Sequence, residues 1–566
     1  MQIRWMRREK RVAEGLALVC ARYLKRDSIS DDAAGFLVGL QELKLREETD
    51  KFWLELAPET KQFPQVQFAY MRNLLDQERY LEAAEIAKRL AGTSHQQADD
   101  HPSVQKALYF GEVCKLLARS GVESAPALLA DAFVSRTIQT ELSGKIGTLA
   151  MFSSQLGAGG AERQFVRIAA ALNQLADVGQ VDARYGLVGP LQLAIHHSDP
   201  SVGKDFFLPY LTDAGLDVAV LDNMREPEVQ NPFEEMGPTG GVFHLLPKKV
   251  RKGVRRLAAK YRADRPDTAY IWQDTGMHVA ALAALAAGVP RIVLCFRSTP
   301  LKIRKDFFKP SFEGYFERLV RVPGVCVACN SRIMAQKYAD WLGISADAVL
   351  VIPNAATALA SCGDDDEASA WRSICDASQG CSKTVLGVFR LHPVKRGSLW
   401  IEVAERYIKR DQHTRFVIVG AGDEHQRLQA LIDEKGLGNR VFLAGRRKAV
   451  GFWLEKADVV LHCARHEGLP NAILEAQLAE RPVIATPAGG TREALLHGQS
   501  GICLSAVEPF PYDEALEALE TLLSDPAKRA TFGSRGSDFV RDNFSMDASL
   551  KLTLNLLASP ITGAAE

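Results

Sequence analysis

The chain has 566 residues, 47% hydrophobic and 24% charged, with 69 lysines and arginines against 69 aspartates and glutamates. That length exceeds what one hydrophobic core can hold and implies roughly three folding units. The composition excludes a disordered or fibrous protein. The balanced charge excludes a global field that would carry the chain onto nucleic acid, so any anion must be held by a local site.

The basic opening, MQIRWMRREKRVAEGLALVC, lacks the continuous apolar core and small-residue cleavage site of a secretory signal. Nor does any stretch reach the roughly 18 to 20 uninterrupted apolar residues of a membrane span. Ten cysteines follow no disulfide spacing. The expectation is a cytoplasmic protein, with any membrane contact peripheral and on the inner face of the plasma membrane.

Residues 1–142 show apolar positions at helical spacing and almost nothing strand-like, which predicts an all-α domain. Within FAYMRNLLDQERYLEAAEIAKRLAG, Leu74, Tyr80, Ala83 and Ala84 have the helix-turn-helix spacing of a tetratricopeptide-like unit. Such a domain serves for packing or for docking a partner.

At Lys145 the pattern changes. KIGTLAMFS, a glycine-rich turn and the amphipathic AERQFVRIAAALNQL are followed by strand-like VDARYGLVG, LDVAVLD, TAYIWQD, RIVLCFRS, VCVACNS and VLVIPNA. A polar stretch, SCGDDDEASAWRSICDASQGCS, interrupts the alternation. It resumes with KTVLGVFR, RFVIVGAGD, RVFLAG, DVVLHCA, RPVIATP and GICLS. This α/β pattern predicts two tandem Rossmann-like, doubly wound domains at 143–378 and 379–535. A C-terminal stretch, 536–566, should fold back as a helix on the first sheet domain, and the ligand should lie in the cleft where strand ends and helix N-termini converge.

Several groups at those strand ends carry chemistry. The turn SSQLGAGGAE, Ser153 to Glu162, lets a ligand approach backbone at Gly159 and Gly160, before a helix start with free N–H groups. Arg390 and Lys395 leave the first strand of the second domain as a diphosphate clamp. In HEGLPNAILEAQLAE, Pro470 suits a helix start, leaving the amides of Asn471, Ala472, Ile473 and Leu474 as first-turn donors. Glu475 follows where a carboxylate can bind a diol, and Glu467 precedes in the loop with His466 and Gly468. GGTRE, Gly489 to Glu493, adds another glycine turn.

Other signals are weaker. Cys326 and Cys329 form a C-x-x-C without the second pair a zinc site needs. His278, His392 and His466 fit structural or surface imidazoles better than bases. Lys248 to Lys260 forms a basic helical stretch suited either to solvent or to an anionic lipid or polymer.

The ordered run G-x-F-R-L-x-x-x-K, F-V-I-V-G-x-G, V-x-F-x-G, H-E-G-L-P-N-A-I-L-E-A, P-V-I-A-T and G-G-x-x-E between Gly387 and Leu504 resembles glycosyltransferase family 4. G-A-G-G-A-E-R-Q and the I-P-N at 352–354 extend the likeness to roughly 145–550. The resemblance implies a GT-B fold, a UDP- or GDP-sugar donor, retention of anomeric configuration, and no metal or other cofactor. It assigns Arg390 and Lys395 to the diphosphate, Glu475 to the ribose, Glu467 to the sugar hydroxyls, and Val441 to Gly445 to the base edge.

Departures fall in the first sheet domain. Gln273 and Asp274 stand where many members carry a histidine, and Arg297 where a second is common. These residues face the expected acceptor route, with Asp274 as an alternative base to the leaving phosphate. The helical addition and the WQD and CFRS segments resemble transferases of bacterial capsule loci of the Vi-antigen type.

The function expected is transfer from a nucleotide-diphosphate sugar, UDP-sugar favoured, to a glycan or lipid-linked acceptor in capsular polysaccharide synthesis. Polymerisation from a UDP-uronate is included, with other polysaccharide-assembly proteins as partners. The alternatives are a nucleotide-sugar epimerase of the same fold and a non-catalytic scaffold.

Overall fold

The computed structural model describes residues 12–23, 29–91, 101–137, 144–177, 185–304 and 310–559. By contacts the chain forms two compact units. The first takes in the chain up to Ala132 together with Phe233–Arg251 and Pro310–Tyr315. Its described elements up to Asp131 are helices, including Ile29–Leu43, Pro64–Asp76, Tyr80–Ala91 and Pro102–Arg119. Tyr80, Ala83 and Ala84 turn into their shared core, where Gly111 admits the Ala84 methyl group at a distance no Cβ could tolerate. Among the described residues, no helix is long and apolar enough to cross a membrane.

The second unit holds two parallel sheets. Strands β1 (Leu149–Ser153), β2 (Gln192–Ile195), β3 (Val218–Val220), β4 (Thr268–Trp272), β5 (Arg291–Cys295), β6 (Val325–Cys329) and β7 (Val349–Val351) form one sheet in the order β3-β2-β1-β4-β5-β6-β7. The other contains β8 (Lys383–Val388), β9 (Thr414–Val419), β10 (Val441–Gly445), β11 (Val459–His462), β12 (Val483–Ala485) and β13 (Gly501–Cys503), ordered β10-β9-β8-β11-β12-β13. Strands covered by helices on both faces are shut off from water along their length and are mostly apolar. Accordingly every residue of β1, β4, β5, β9 and β11 is buried. Strand order reverses between β1 and β4 and again between β8 and β11, the switch points where such sheets open a crevice.

Two segments differ from expectation. The second strand of the first sheet is Gln192–Ile195 rather than VDARYGLVG. Gly186 and Gly189 adopt positive φ, which breaks an extended run there, and residues 181–184 of that segment lie outside the described residues. The polar linker contains a helix, Asp365–Ala377, because Asp364 caps it and acids occupy its first turn. Glu367 of that helix is buried and accepts from the backbone of Lys448 and Ala449 and from the Trp453 indole.

At the C-terminus, Pro526–Asn543 supplies Val540 to the second sheet's core. The chain then crosses, and Met546–Leu557 adds Leu554, Leu556 and Leu557 to the first sheet's core. Tyr185 holds Asn555 there at 2.8 Å.

Candidate active site

Between the carboxyl ends of the two sheets lies a cavity of about 950 Å³, large enough for a nucleotide sugar. Its walls are the turn after β1, the segments after β8, β9 and β10, and the loop and helix after β11.

The second domain contributes a buried charged cluster. Glu467, 11% exposed at its side chain, forms an ion pair through Oε1 with the Lys395 ammonium and meets His462 Nε2 at 2.7 Å. Burial alone would raise the pKa of this carboxyl. The charge of Lys395 and the bond from His462 outweigh it and hold the pKa at about 2. Glu467 is therefore ionised and fixed in place, ready to accept from hydroxyl groups. Gly489 at φ 52° lets the next loop pass so close to the Glu467 carbonyl that no side chain could fit.

Arg390 is exposed on the cavity wall, and its guanidinium makes no hydrogen bond or ion pair among the described residues. His392 is structural: its Nδ1 accepts from Val394 N–H at 3.3 Å, and burial followed by Arg390 lowers its pKa.

The helix after β11 runs Asn471–Leu478 with Pro470 as its N-cap residue. The Pro470 carbonyl accepts from Ile473 N–H at 3.2 Å and Leu474 N–H at 3.5 Å. The first-turn donors left for an anion are thus Asn471 and Ala472 alone, a correction to the four expected. Gly468, Asn471, Ala472 and Glu475 line the cavity, whereas Ile473 and Leu474 are fully buried in the domain core. Glu475, 4% exposed, is paired with Arg163 from the first turn of the helix Gly160–Asp177.

The first domain presents Gly159, Gly160 and one edge of Arg297 to the cavity. Arg297 is a strut: it stacks over Trp272 at 4.4 Å, donates to the Ile352 carbonyl at 3.3 Å, and bonds Asn354 Oδ1. Asn354 donates to the Leu469 carbonyl at 2.7 Å and to Asn471 Oδ1 at 2.8 Å, and Asn471 donates to the Gly160 carbonyl at 3.0 Å. These amides join the two sheet domains beside the cavity.

Several expected site residues lie elsewhere. Asp274 is off the wall and 5% exposed, with Arg304 at 2.5 Å and the Tyr338 hydroxyl at 3.4 Å, so it has no face to offer an acceptor. Gln273, at φ 68°, sits behind the wall and accepts from Ser154 Oγ at 2.6 Å. Val441 is 2% exposed in the core, and the Gly445 carbonyl accepts from Gly420 N–H at 2.8 Å; the wall there is the following loop, Arg446 to Val450. His466 lines a separate depression with Arg465 and Lys337, and burial followed by Arg465 lowers its pKa.

The basic helical stretch is largely neutralised. Arg255, Arg256 and Lys252 surround Glu226 at 2.8, 3.1 and 3.9 Å, Lys260 meets Asp264 at 2.6 Å, and Arg251 meets Glu78 at 3.5 Å. Among the described residues, Lys248 and Lys249 at its start stay exposed without such a partner.

Cys326 and Cys329 lie three apart on β6, where alternation sends their side chains to opposite faces, and burial pushes the Cys329 thiol up to about 12. Among the described residues His196, His197 and Asp222 come together, but the two imidazoles stack at 4.0 Å and 11°, so their in-plane lone pairs run side by side instead of converging on an ion.

Sequence reasoning missed His462, Arg163, Glu162 and the Arg446–Val450 segment. His462 had a signal: it is the polar end of an otherwise apolar strand, five residues before Glu467. Arg163 had none, because its partner is 312 residues away.

Residues 377–539 match the family model for glycosyl transferases group 1, and 207–357 that for Glycosyltransferase Family 4. The chain is 31% identical over 423 residues to the Vi polysaccharide biosynthesis protein VipC/TviE of Salmonella typhi, covering 74% of this chain and 72% of that one. It is 28% identical over 178 residues to the poly(ribitol-phosphate) alpha-N-acetylglucosaminyltransferase of Staphylococcus aureus, covering 31% of this chain and 36% of that one. Among solved structures, Anabaena Alr3699/HepE in complex with UDP and glucose superposes with a TM-score of 0.56 at 20% identity, over 73% of this chain and 99% of the other, which is a likeness of fold. With two switch-point sheets, a charged cleft between them and a relative of this extent, the chain belongs to the GT-B glycosyltransferases of the group 1 and family 4 kind, and it is a glycosyltransferase.

Proposed function

We propose that this glycosyltransferase retains anomeric configuration and moves a sugar from a UDP-sugar to a glycan or lipid-linked acceptor in bacterial capsular polysaccharide assembly, as a polymerase drawing on a UDP-uronate. The observation that carries this reading is the cleft's division of labour. An ionised Glu467 is fixed by Lys395 and His462, an unengaged Arg390 stands on the same wall, and two free helix amides face the cavity. In this reading Arg390, Lys395 and the amides of Asn471 and Ala472 hold the diphosphate and stabilise it as it departs. Glu467 takes the sugar hydroxyls, Glu475 the ribose diol, and the Arg446–Val450 loop the base. The side chains neutralise the diphosphate without a metal ion.

The acceptor enters over the first domain, where Val202, Phe206 and Tyr210 are exposed beside Lys204 and Arg167. Apolar faces next to cations suit a sugar chain carrying acid groups. The S. typhi relative is a Vi polysaccharide biosynthesis protein and the Anabaena structure holds UDP and glucose, both consistent with this substrate class. The helical domain serves as a tetratricopeptide-like docking module for assembly proteins at the inner face of the membrane. A thermal-shift screen of UDP, GDP and their sugars tests the donor, since a ligand at ~100 times its dissociation constant adds roughly 2.7 kcal/mol. Stabilisation by GDP and not UDP would reverse the nucleotide assignment. Turnover abolished by chelator would reject metal independence, and an inverted product anomer would reject retention.

A further inference from the structure

The cleft contains a carboxylate that none of these roles uses. Glu162 is the third residue of the helix Gly160–Asp177 and lines the cavity. Its side chain folds back over the turn, so that a Cβ on Gly159 would collide with the carboxylate. The donors that reach it are uncharged: Gln155 Nε2 at 3.5 Å, the Gln273 amide, and its own backbone N–H. Among the described residues no lysine or arginine bonds to it. The charge facing it is that of Arg390, across the cavity wall.

This sets Glu162 apart from Glu467, Glu475 and Asp274. Glu467 is bonded to Lys395 and His462, Glu475 to Arg163, and Asp274 to Arg304. Burial raises the Glu162 pKa above the ordinary glutamate value, with its hydrogen bonds and Arg390 pulling the other way. An acid at the third position of a helix often caps first-turn N–H groups. That duty explains the fold-back but not a carboxylate left without a bonded cation on the cavity wall, opposite an unengaged arginine.

We propose that Glu162 is a catalytic residue that binds the acceptor hydroxyl and takes its proton during transfer. The assignment rests on the retaining reading, because front-face attack requires the proton acceptor on the side from which the diphosphate departs, and Arg390 marks that side. The hydroxyl oxygen bonds to the anomeric carbon as the bond from that carbon to the phosphate oxygen breaks. The electron pair stays on the nucleoside diphosphate beside Arg390 and Lys395. The proton passes to Glu162, which returns it to solvent through the open cleft.

Glu162→Gln keeps the size of the side chain and its capacity to accept a backbone hydrogen bond, but removes the base. Acceptor-dependent release of UDP, measured with the UDP-sugar that supports wild-type turnover, should fall about 10² to 10⁴-fold, while UDP binding stays within about threefold and Tm within about 2 °C. In the wild type, kcat/KM should fall with decreasing pH along a limb centred above the glutamate value of 4.5, since only the carboxylate accepts a proton. The residual activity of Glu162→Gln should lack that limb.

Transfer within about threefold of wild type would overturn the proposal. So would loss of turnover accompanied by loss of UDP binding, which identifies a helix cap. If the variant does not fold, the wild-type profile decides, and absence of the limb overturns the proposal. The product anomer, read by NMR, separates the two levels. Retention with an active Glu162→Gln removes only Glu162, whereas inversion removes the reading beneath it.

Discussion

Two buried carboxylates follow equivalent strands of the two sheets and have opposite fates. Asp274 follows β4 and Glu467 follows β11, each strand beside its sheet's switch point and each acid paired with a cation. Around Asp274 the balance favours the proton: burial raises its pKa despite Arg304 and Tyr338, and the group lies behind the cavity wall. Around Glu467 burial is outweighed by Lys395 and His462, and the group lies on the wall. A strand end therefore supplies a position for a charged side chain, and what it can do is decided by which partners meet it there. One pair ties a helix start of the first sheet domain to a later loop. The other holds a negative charge where a ligand can use it.

The sharpest way to break this contrast is to remove the cations of the second cluster. Arg390→Ala and Lys395→Ala should each lower turnover about 10² to 10³-fold, the usual cost of a donor to charge that develops in the transition state. The two should differ in stability. Arg390 is exposed and unbonded, so its loss should leave unfolding free energy within about 0.5 kcal/mol. Lys395→Ala strands Glu467 and should be clearly destabilised in denaturant titration.

The pH dependence sharpens the point. With its folded pKa depressed to about 2, Glu467 contributes stability that is present above its unfolded value and lost as pH falls towards about 2. Lys395→Ala should flatten that acid-side loss. Near-normal turnover in both variants would return this cluster to the same structural category as Asp274.

Next in size is the first cluster itself. Removing one partner of a buried pair typically costs about 3–5 kcal/mol, so Arg304→Ala should be strongly destabilised. Asp274→Asn, which also relieves a buried charge, should lose less. Because burial raises the folded pKa of Asp274, its ionisation works against folding, and the wild type loses stability from this group as pH rises through that pKa. Asp274→Asn should lack this loss. Turnover per folded molecule should change little in either variant, and a hundredfold fall in Asp274→Asn would restore Asp274 as a base.

The contrast also shows how far sequence reasoning reaches. Alternating apolar strands and helices made both sheets legible, because parallel strands covered on two faces leave a continuous apolar trace. Arg390, Lys395, Glu467 and Glu475 were legible because the segments holding them are short and local, and all four line the cavity. Asp274 has the same local appearance, but its partner Arg304 belongs to a later loop, and nothing near Asp274 says which way that arginine turns. Val441 and Gly445 failed as the base edge by one step: the strand is core, and the residues just beyond it form the wall. The basic helical stretch looked like a free cationic face until Glu226 and Glu78, distant in sequence, were seen to pair with it.

The smallest expected effect concerns the ion pair between Arg163 and Glu475, which joins a helix of the first sheet domain to one of the second. If Glu475 serves the ribose, its carboxylate is already occupied, and the nucleotide must share or displace Arg163 before both ribose hydroxyls can bond to it. Displacement costs a charge-assisted hydrogen bond that the diol then replaces, so part of the nucleotide's binding energy goes into the exchange. Arg163→Ala removes the competitor and leaves Glu475, 4% exposed, with a carboxylate in need of donors. UDP should then bind several-fold more tightly, tenfold corresponding to about 1.4 kcal/mol, while the unliganded protein becomes less stable. Glu475→Gln should do the reverse and weaken UDP binding. Calorimetric titration of both variants with UDP decides the matter: weaker binding in Arg163→Ala would mean that the guanidinium itself contacts the nucleotide and that the pair belongs with Lys395 and Glu467, not with Arg304 and Asp274.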